Sequence, residues 1–237
     1  MSITGLLVFC RCAGFVSRAP GFSHPSVPAP VRAGLALTVA LALTPAFGHP
    51  RCGGLPLPFA AAADFGIGAA IGFASSILYD GAYAGGRALD DYVGIRGSVP
   101  GSSFFAASAF GRVWSMVFLA GFFLLGGYRV VIEALARSFE ALPVCTLPSS
   151  GGLYAYAIAL PSSIVEAALL VAGPAIALVF VAQVTLAAAS RVIPRFAAFT
   201  LSFPIVFATA VVVTLVTIPP LFAQSAVPWV RVPFLSP

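Results

Sequence analysis

The stretch ASRVIPRFAAF, residues 189–199, places Arg191 and Arg195 on either side of Pro194. The long apolar runs before and after this stretch carry no charged side chain. Proline ends or bends an α-helix, because it lacks an amide hydrogen and its ring clashes with the preceding turn. The stretch therefore predicts a turn with a polar tip that joins two long apolar helices.

The composition of the chain is typical of a protein that lies in an apolar environment. Of its 237 residues, 60% are hydrophobic and only 8% are charged, whereas about 25% are charged in an average soluble domain. Apolar segments of about 20 residues can span a bilayer as helices. No strand-like alternation is seen, so we predict an all-α, integral membrane-type protein with long kinked helical hairpins. The predicted segments are at about 2–18, 31–47, 59–91, 104–141, 153–190 and 196–222. Pro161 and Pro174 are expected to break or bend the fifth.

The charged residues and cysteines argue against several classes of protein. The net charge is +5, and all twelve basic residues are arginines that are scattered along the chain. A nucleic-acid interface needs a basic patch, so no nucleic acid is expected. Only Cys10 and Cys12 are closely spaced, and zinc sites usually need a second pair of ligands. We predict no metal and no cofactor, interpret the four cysteines as small apolar fillers, and expect no disulfide framework.

No catalytic motif is found. The patterns HExxH, GxSxG and SxxK are absent from the sequence. Asp90 and Asp91 are adjacent and would point about 100° apart on a helix, so they could not easily share one substrate atom. A helix-start or loop-solvated role is favoured for both, and no enzyme activity is predicted.

Two glycine pairs in the third segment have the small-xxx-small spacing, Gly68 with Gly72 and Gly81 with Gly85. Small residues at this spacing let helix backbones approach closely in apolar surroundings. We predict helix packing at these four positions. The alternative is the ordinary tolerance of membrane helices for glycine.

Three charged residues, Arg87, Arg112 and Glu166, interrupt apolar segments. A charge that faces lipid at mid-bilayer costs about 2.5–3.5 kcal/mol by insertion scales. We expect these side chains to face a partner, a water-filled lumen or the bilayer boundary. The alternative, that they lie at helix ends, stays open.

A series of short motifs runs through the chain in a recognisable order and at recognisable spacing. The series resembles the FliR/SctT family, the export-gate proteins of the bacterial flagellum and of injectisome-type type III secretion. Position 195 departs from the family pattern, which commonly has glutamine where this chain has arginine. The motifs are Arg11-x6-Arg18-Ala19-Pro20, Val27-Pro28-x3-Arg32, Asp64-x3-Gly68-x3-Gly72-Phe73, Gly85-x3-Leu89-Asp90, Phe139-x2-Leu142-Pro143, Gly173-Pro174, Arg191-x2-Pro194 and Phe199-x4-Pro204.

The resemblance implies a non-enzymatic gate subunit. Such a subunit assembles with FliP-like and FliQ-like subunits into a pore for unfolded polypeptide across the bacterial inner membrane, and works with FlhA- and FlhB-like export components at the flagellar basal body. It also implies that residues 1–150 are FliP-like and that residues 151–237 form a FliQ-like hairpin and tail, in one integrated unit. Whether the system is a flagellum or an injectisome stays open.

The Gly/Ser/Pro-rich segment 94–103 matches the family's plug, a loop that helps to close the pore. A loop of this composition has few stabilising contacts of its own and can reorder. The positive-inside rule places the Arg191–Arg195 tip at the cytoplasmic entrance, although a snorkelling turn without substrate contact is an alternative. The plug residues are Gly94, Ile95, Arg96, Gly97, Ser98, Val99, Pro100 and Gly101, and the tip residues are Arg191, Pro194 and Arg195.

A small-solute transporter or channel subunit is the alternative function. Many transporters contain inverted repeats with interrupted helices at matching positions. In this chain the prolines of the apolar segments lie mostly in the C-terminal half and the glycines mostly in the N-terminal half, and no convincing repeat is seen. The export-gate interpretation is therefore preferred.

Overall fold

The structure, a computed structural model, describes residues 3–24, 27–44, 56–94, 108–147, 150–192 and 199–223. These residues form seven α-helices and no β-strand, which confirms the predicted all-α class. The helices are α1 (Ile3–Arg18), α2 (Ala29–Leu43), α3 (Leu57–Val93), α4 (Ala109–Leu124), α5 (Gly127–Ala141), α6 (Ser150–Val192) and α7 (Phe199–Ala223).

The prediction of one helix over 104–141 is wrong, because α4 and α5 meet at a bend of 71°. Gly126 lies at this bend with a φ of 75°, in the left-handed region. Glycine adopts that conformation without the steric penalty that a side chain would bring. A left-handed residue cannot continue a right-handed helix, so the apolar run is divided there.

The prediction that Pro161 and Pro174 break or bend the fifth segment is wrong as to a break, and a bend at either proline stays a prediction. Helix α6 continues through both prolines over 43 residues. A proline removes one backbone hydrogen bond from a helix, and helices in apolar surroundings tolerate this loss when local adjustments satisfy the freed groups.

Among the described residues, two helices are long and apolar enough to cross a membrane. They are α3 and the part of α6 from Ile158 to Ala189, and the bent pair of α4 and α5 would make a third span if it counts as one. Helix α2 and residues Pro204–Thr217 are apolar but shorter. The helices thus have the length and composition of a membrane-type protein.

The chain forms two compact units. The first contains the described residues up to Ile77 together with Leu119–Ser162. Its core is built from α1, α2, the first part of α3, the end of α4, and α5. The largest buried side chains there include Leu7, Phe15, Ile71 and Leu135.

The second unit contains Leu78–Phe118 and the described residues from Ser163 onward. Its core combines the end of α3, the start of α4, α6 and α7, around Leu89, Trp114 and Val179. Helices α3, α4 and α6 each contribute residues to both units. The units therefore alternate along the chain, and the division into 1–150 and 151–237 stays a prediction.

Candidate functional site

A buried ion pair lies in the first unit. Arg11 and Asp64 are 0% and 1% exposed. The Nε of Arg11 donates to Oδ1 of Asp64 at 2.8 Å, and a second guanidinium nitrogen donates to the same oxygen. The remaining nitrogen, Nη1, donates to the backbone carbonyls of Ser138 at 3.0 Å and Leu142 at 2.8 Å. One side chain thus joins α1, α3 and the end of α5.

This ion pair brings together three motifs that are far apart in sequence. Arg11, Asp64 and Leu142 each belong to a motif that carries the family resemblance. Phe139 is in the same motif as Leu142, and the centre of its ring lies 4.4 Å from the guanidinium carbon of Arg11. Buried charges are tolerated when they are paired and hydrogen-bonded, and both conditions hold for Arg11. We interpret these motifs as the residues that form a buried ion pair and supply its hydrogen-bond partners.

Gly68 and Gly72 lie where α3 meets α1. A Cβ atom on Gly68 would lie 1.9 Å from the carbonyl oxygen of Arg11, and one on Gly72 would lie 2.6 Å from the carbonyl oxygen of Phe15. A side chain does not fit at such distances, so the backbones of the two helices are in direct contact. Close approach of this kind is typical of small residues in apolar helix pairs.

Gly81 and Gly85 lie against a different helix, α6 in the second unit. A Cβ atom on Gly81 would lie 2.5 Å from the Cβ of Ala167, and one on Gly85 would lie 2.8 Å from the carbonyl oxygen of Ala168. The two predicted glycine pairs therefore contact different helices, and both contacts are within the chain.

Gly86, which the small-xxx-small spacing did not single out, makes a similar contact with Gly111 of α4. A Cβ atom on Gly86 would lie 2.5 Å from the backbone nitrogen of Gly111. The spacing pattern did not identify Gly86, because the glycine that it contacts lies on α4 and not four residues away on α3.

Only the first residue of the predicted plug, Gly94, is described. It has a φ of 82°, and its amide donates to the carbonyl oxygen of Asp90 at 3.1 Å. Gly94 therefore ends α3 and turns the chain away from it. The other plug residues, Ile95, Arg96, Gly97, Ser98, Val99, Pro100 and Gly101, lie outside the described residues.

Asp90 connects the two helices on either side of the plug segment. It is 0% exposed and lies in the last turn of α3. Its Oδ1 accepts the backbone N–H of Phe110 at 3.2 Å, and its Oδ2 accepts the Ser108 hydroxyl. The Ser108 oxygen in turn accepts the backbone N–H of Gly111 at 2.8 Å. We call these four residues the Asp90 clasp.

The clasp satisfies backbone donors at the start of α4 that have no partner within the helix. A carboxylate is also favoured there by the helix dipole. Asp90 therefore has a helix-start role, although at the start of α4 and not of its own helix. The solvated alternative is wrong for Asp90, because its side chain is buried. Asp91, its neighbour, is exposed.

Arg191, the one described residue of the predicted hairpin tip, is exposed in the last turn of α6. Pro194 and Arg195 lie outside the described residues. Arg112 is exposed near the start of α4, as the helix-end alternative expects, and Arg87 is half-buried. Glu166 lies well inside α6 and is exposed, so the helix-end alternative is wrong for this residue.

No group of three His, Cys, Asp or Glu side chains in the described part of the chain could hold a metal ion. Cys12 is buried and Cys10 half-buried, and both are free thiols. Cys145 is disulfide-bonded, so the interpretation of every cysteine as an apolar filler is wrong for this residue. Sequence spacing alone carries no signal for such a bond.

Long apolar helices, contacts through glycine and a buried charge pair define a helical protein of membrane type. Its sequence matches a known family, Bacterial export proteins, family 1, over residues 2–228. The chain belongs to this family, which confirms the resemblance inferred from the motifs. It is also similar to the flagellar biosynthetic protein FliR of Escherichia coli (strain K12), with 24% identity over 202 residues that cover 82% of this chain and 76% of that protein.

Proposed function

We propose that this chain is a gate subunit of a flagellar-type protein-export apparatus in the bacterial inner membrane. With FliP-like and FliQ-like subunits it forms the pore through which unfolded polypeptides cross the membrane. Family membership over residues 2–228 supports the export role. The observation that carries the gating role is the Asp90 clasp, since it ties together the residues on either side of a Gly/Ser/Pro-rich segment.

Within this proposal, Gly94–Ser103 acts as the plug that limits the leakage of ions and small molecules at rest. Ser108 and Phe110 hydrogen-bond to Asp90, so a plug at this position would have a fixed base. A loop with a fixed base can move aside for a polypeptide and return to the same place. Three glycines and a proline among its first eight residues favour such reordering over stable helix formation.

The exposed surface supports a role within a larger assembly. Many large apolar side chains are exposed, among them Leu124 at 84% and Leu215 at 69%. Apolar surface of this extent has to be covered by lipid or by other proteins. The proposed protein neighbours are FliP-like and FliQ-like subunits, with FlhA- and FlhB-like components on the cytoplasmic side.

We also propose how the two parts of the chain are organised within this assembly. Residues 1–150 would be the FliP-like part, and residues 151–237 the FliQ-like hairpin. The tip of this hairpin, formed by Arg191, Pro194 and Arg195, would lie at the cytoplasmic entrance, because cytoplasmic loops favour arginine.

Deletion of residues 95–100 in the assembled complex tests the plug. We expect ion conductance through the reconstituted pore to rise, and the amount of complex to stay the same, because the deletion leaves Asp90 and Ser108 in place. Replacement of Glu133 with alanine is the control, since Glu133 is exposed on α5 of the first unit. Unchanged conductance after the deletion would contradict the plug role.

A further inference from the structure

One face of α6 in the second unit is exposed and carries a single charge. Its side chains are three, four or five residues apart or adjacent, which places them on one side of the helix over about one turn and a half. Each apolar member of this face is at least half exposed. We call it the Glu166 stripe, and it consists of Val165, Glu166, Leu169 and Leu170.

Packing of the opposite face fixes the direction in which this stripe points. Val171, Ala175 and Val179 lie on that opposite face in the core of the second unit, and Ala167 on the same face is also buried. Ala167 and Ala168 also contact the glycines of α3. Helix α6 therefore cannot rotate to bury Glu166 without losing these contacts.

The Glu166 carboxylate has no hydrogen bond or ion pair with any residue that the structure describes. It lies within the part of α6 that is long and apolar enough to cross a membrane. A carboxylate that faces lipid there is strongly unfavourable. Exposure of the stripe to water is also unfavourable, because the apolar side chains of Val165, Leu169 and Leu170 would then contact water.

A protein surface that is apolar and supplies a cation satisfies both requirements. We propose that the Glu166 stripe is a docking surface for an apolar helix of a neighbouring export subunit, and that this helix places a basic side chain against Glu166. The inference rests on the proposed function, since it takes an export complex as the source of the neighbour. A buried carboxylate paired with a cation would also fix the register of the two helices.

Replacement of Glu166 with leucine tests the charge pair in the full complex purified from membranes. Leucine suits both the helix and the stripe, so the chain itself should fold and accumulate normally. We expect the yield of complex with the FliP-like and FliQ-like subunits to fall more than tenfold, because the partner's cation loses its counter-charge. Glu133→Leu, on an exposed face of α5, is the matched control and should leave the yield unchanged.

Two other results would overturn the inference. An unchanged yield with unchanged ion conductance would show that the stripe faces lipid, and an unchanged yield with altered conductance would show that it faces a water-filled lumen. If the yield falls because the chain is itself misfolded, the melting temperature of the isolated variant in detergent will fall as well. The decision would then rest on photo-crosslinking of the chain with Glu166 intact.

A photo-crosslinking residue at Leu170, one helical turn from Glu166, tests the docking surface with Glu166 intact. We expect an adduct to an identified export subunit, on a helix with an arginine or lysine within one turn of the adduct site. An adduct site without a basic residue nearby, or no protein adduct, would contradict the proposal. Failure of the wild-type chain to co-purify with any export subunit would instead contradict the proposed function.

Discussion

The carboxylate of Asp90 accepts the backbone N–H of Phe110 at 3.2 Å, which joins the last turn of α3 to the first turn of α4. The second carboxylate oxygen accepts the Ser108 hydroxyl. In sequence, the segment 95–107 lies between the residues that this connection joins. One buried side chain therefore links the described residues that precede and follow the segment.

We predict that Asp90→Ala lowers the stability of the protein by about 1–3 kcal/mol, because buried donors lose their acceptor. The melting temperature in detergent measures this effect. Within the assembled pore, the same variant should raise ion conductance, since the base of the plug is no longer fixed. Asp91→Ala is the matched control, because Asp91 is the exposed neighbour, and its effect should stay within about 0.5 kcal/mol. Equal stabilities for the two variants would disprove the clasp.

A second prediction concerns the buried pair of Arg11 and Asp64. Removal of one partner leaves an uncompensated buried charge, so Arg11→Met should destabilise the protein by about 3–5 kcal/mol. The double variant Arg11→Met with Asp64→Leu should recover much of this loss, because no charge is left unpaired. Equilibrium unfolding in detergent measures both effects.

The exposed pair of Arg137 and Glu133 serves as the control for this prediction. Their side chains are 72% and 60% exposed, so Arg137→Ala should cost less than about 1 kcal/mol. If the double variant is no more stable than Arg11→Met alone, the main role of Arg11 would be its bonds to the carbonyls of Ser138 and Leu142.

The sequence was sufficient to predict features that depend on neighbours along one helix. The apolar runs predicted the all-α class, and the spacing of four residues identified Gly68, Gly72, Gly81 and Gly85. The prediction failed at Gly126, where glycine in an apolar run was interpreted as part of a helix although it has a left-handed conformation. Two conformations compete there, and the choice depends on packing that the local sequence does not contain.

Contacts between distant residues could not be predicted in the same way. Arg11 and Asp64 are 53 positions apart, and Asp90 and Ser108 are 18 apart. Such pairs depend on which helices pack together, and a single sequence does not determine that. The resemblance to a family identified Arg11, Asp64 and Asp90 as motif residues but not as partners in a contact.

A third prediction uses two glycines of α3 that differ in their surroundings. Gly68→Ala places a Cβ atom 1.9 Å from the Arg11 carbonyl oxygen, whereas the position of a Cβ atom on Gly66 is free of other atoms within 4 Å. We expect Gly68→Ala to destabilise the protein by about 1–3 kcal/mol or more through overpacking. Gly66→Ala should stabilise it by about 0.5–1 kcal/mol, because alanine favours the helix.

Thermal unfolding of the isolated chain measures both glycine variants. The same experiment bears on Gly72→Leu and Gly85→Leu, which should also reduce co-purification with the FliP-like partner. Because the contacts of Gly72 and Gly85 are within the chain, the loss of assembly should follow from a loss of stability. Normal stability with lost assembly would mean that these glycines also contact a partner.

The last prediction concerns the arginines of the proposed hairpin tip. Arg191 is exposed at the end of α6, so the double variant Arg191→Ala with Arg195→Ala should leave the melting temperature of the chain unchanged. If the tip guides substrate or partner at the cytoplasmic entrance, the amount of exported substrate should fall severalfold and should recover in Arg191→Lys with Arg195→Lys, which keeps the charge. A third variant, Arg195→Gln, restores the residue that the family commonly has and should export as well as the wild type. Undiminished export from the double alanine variant would show that the arginines only hold the turn at the membrane surface by snorkelling.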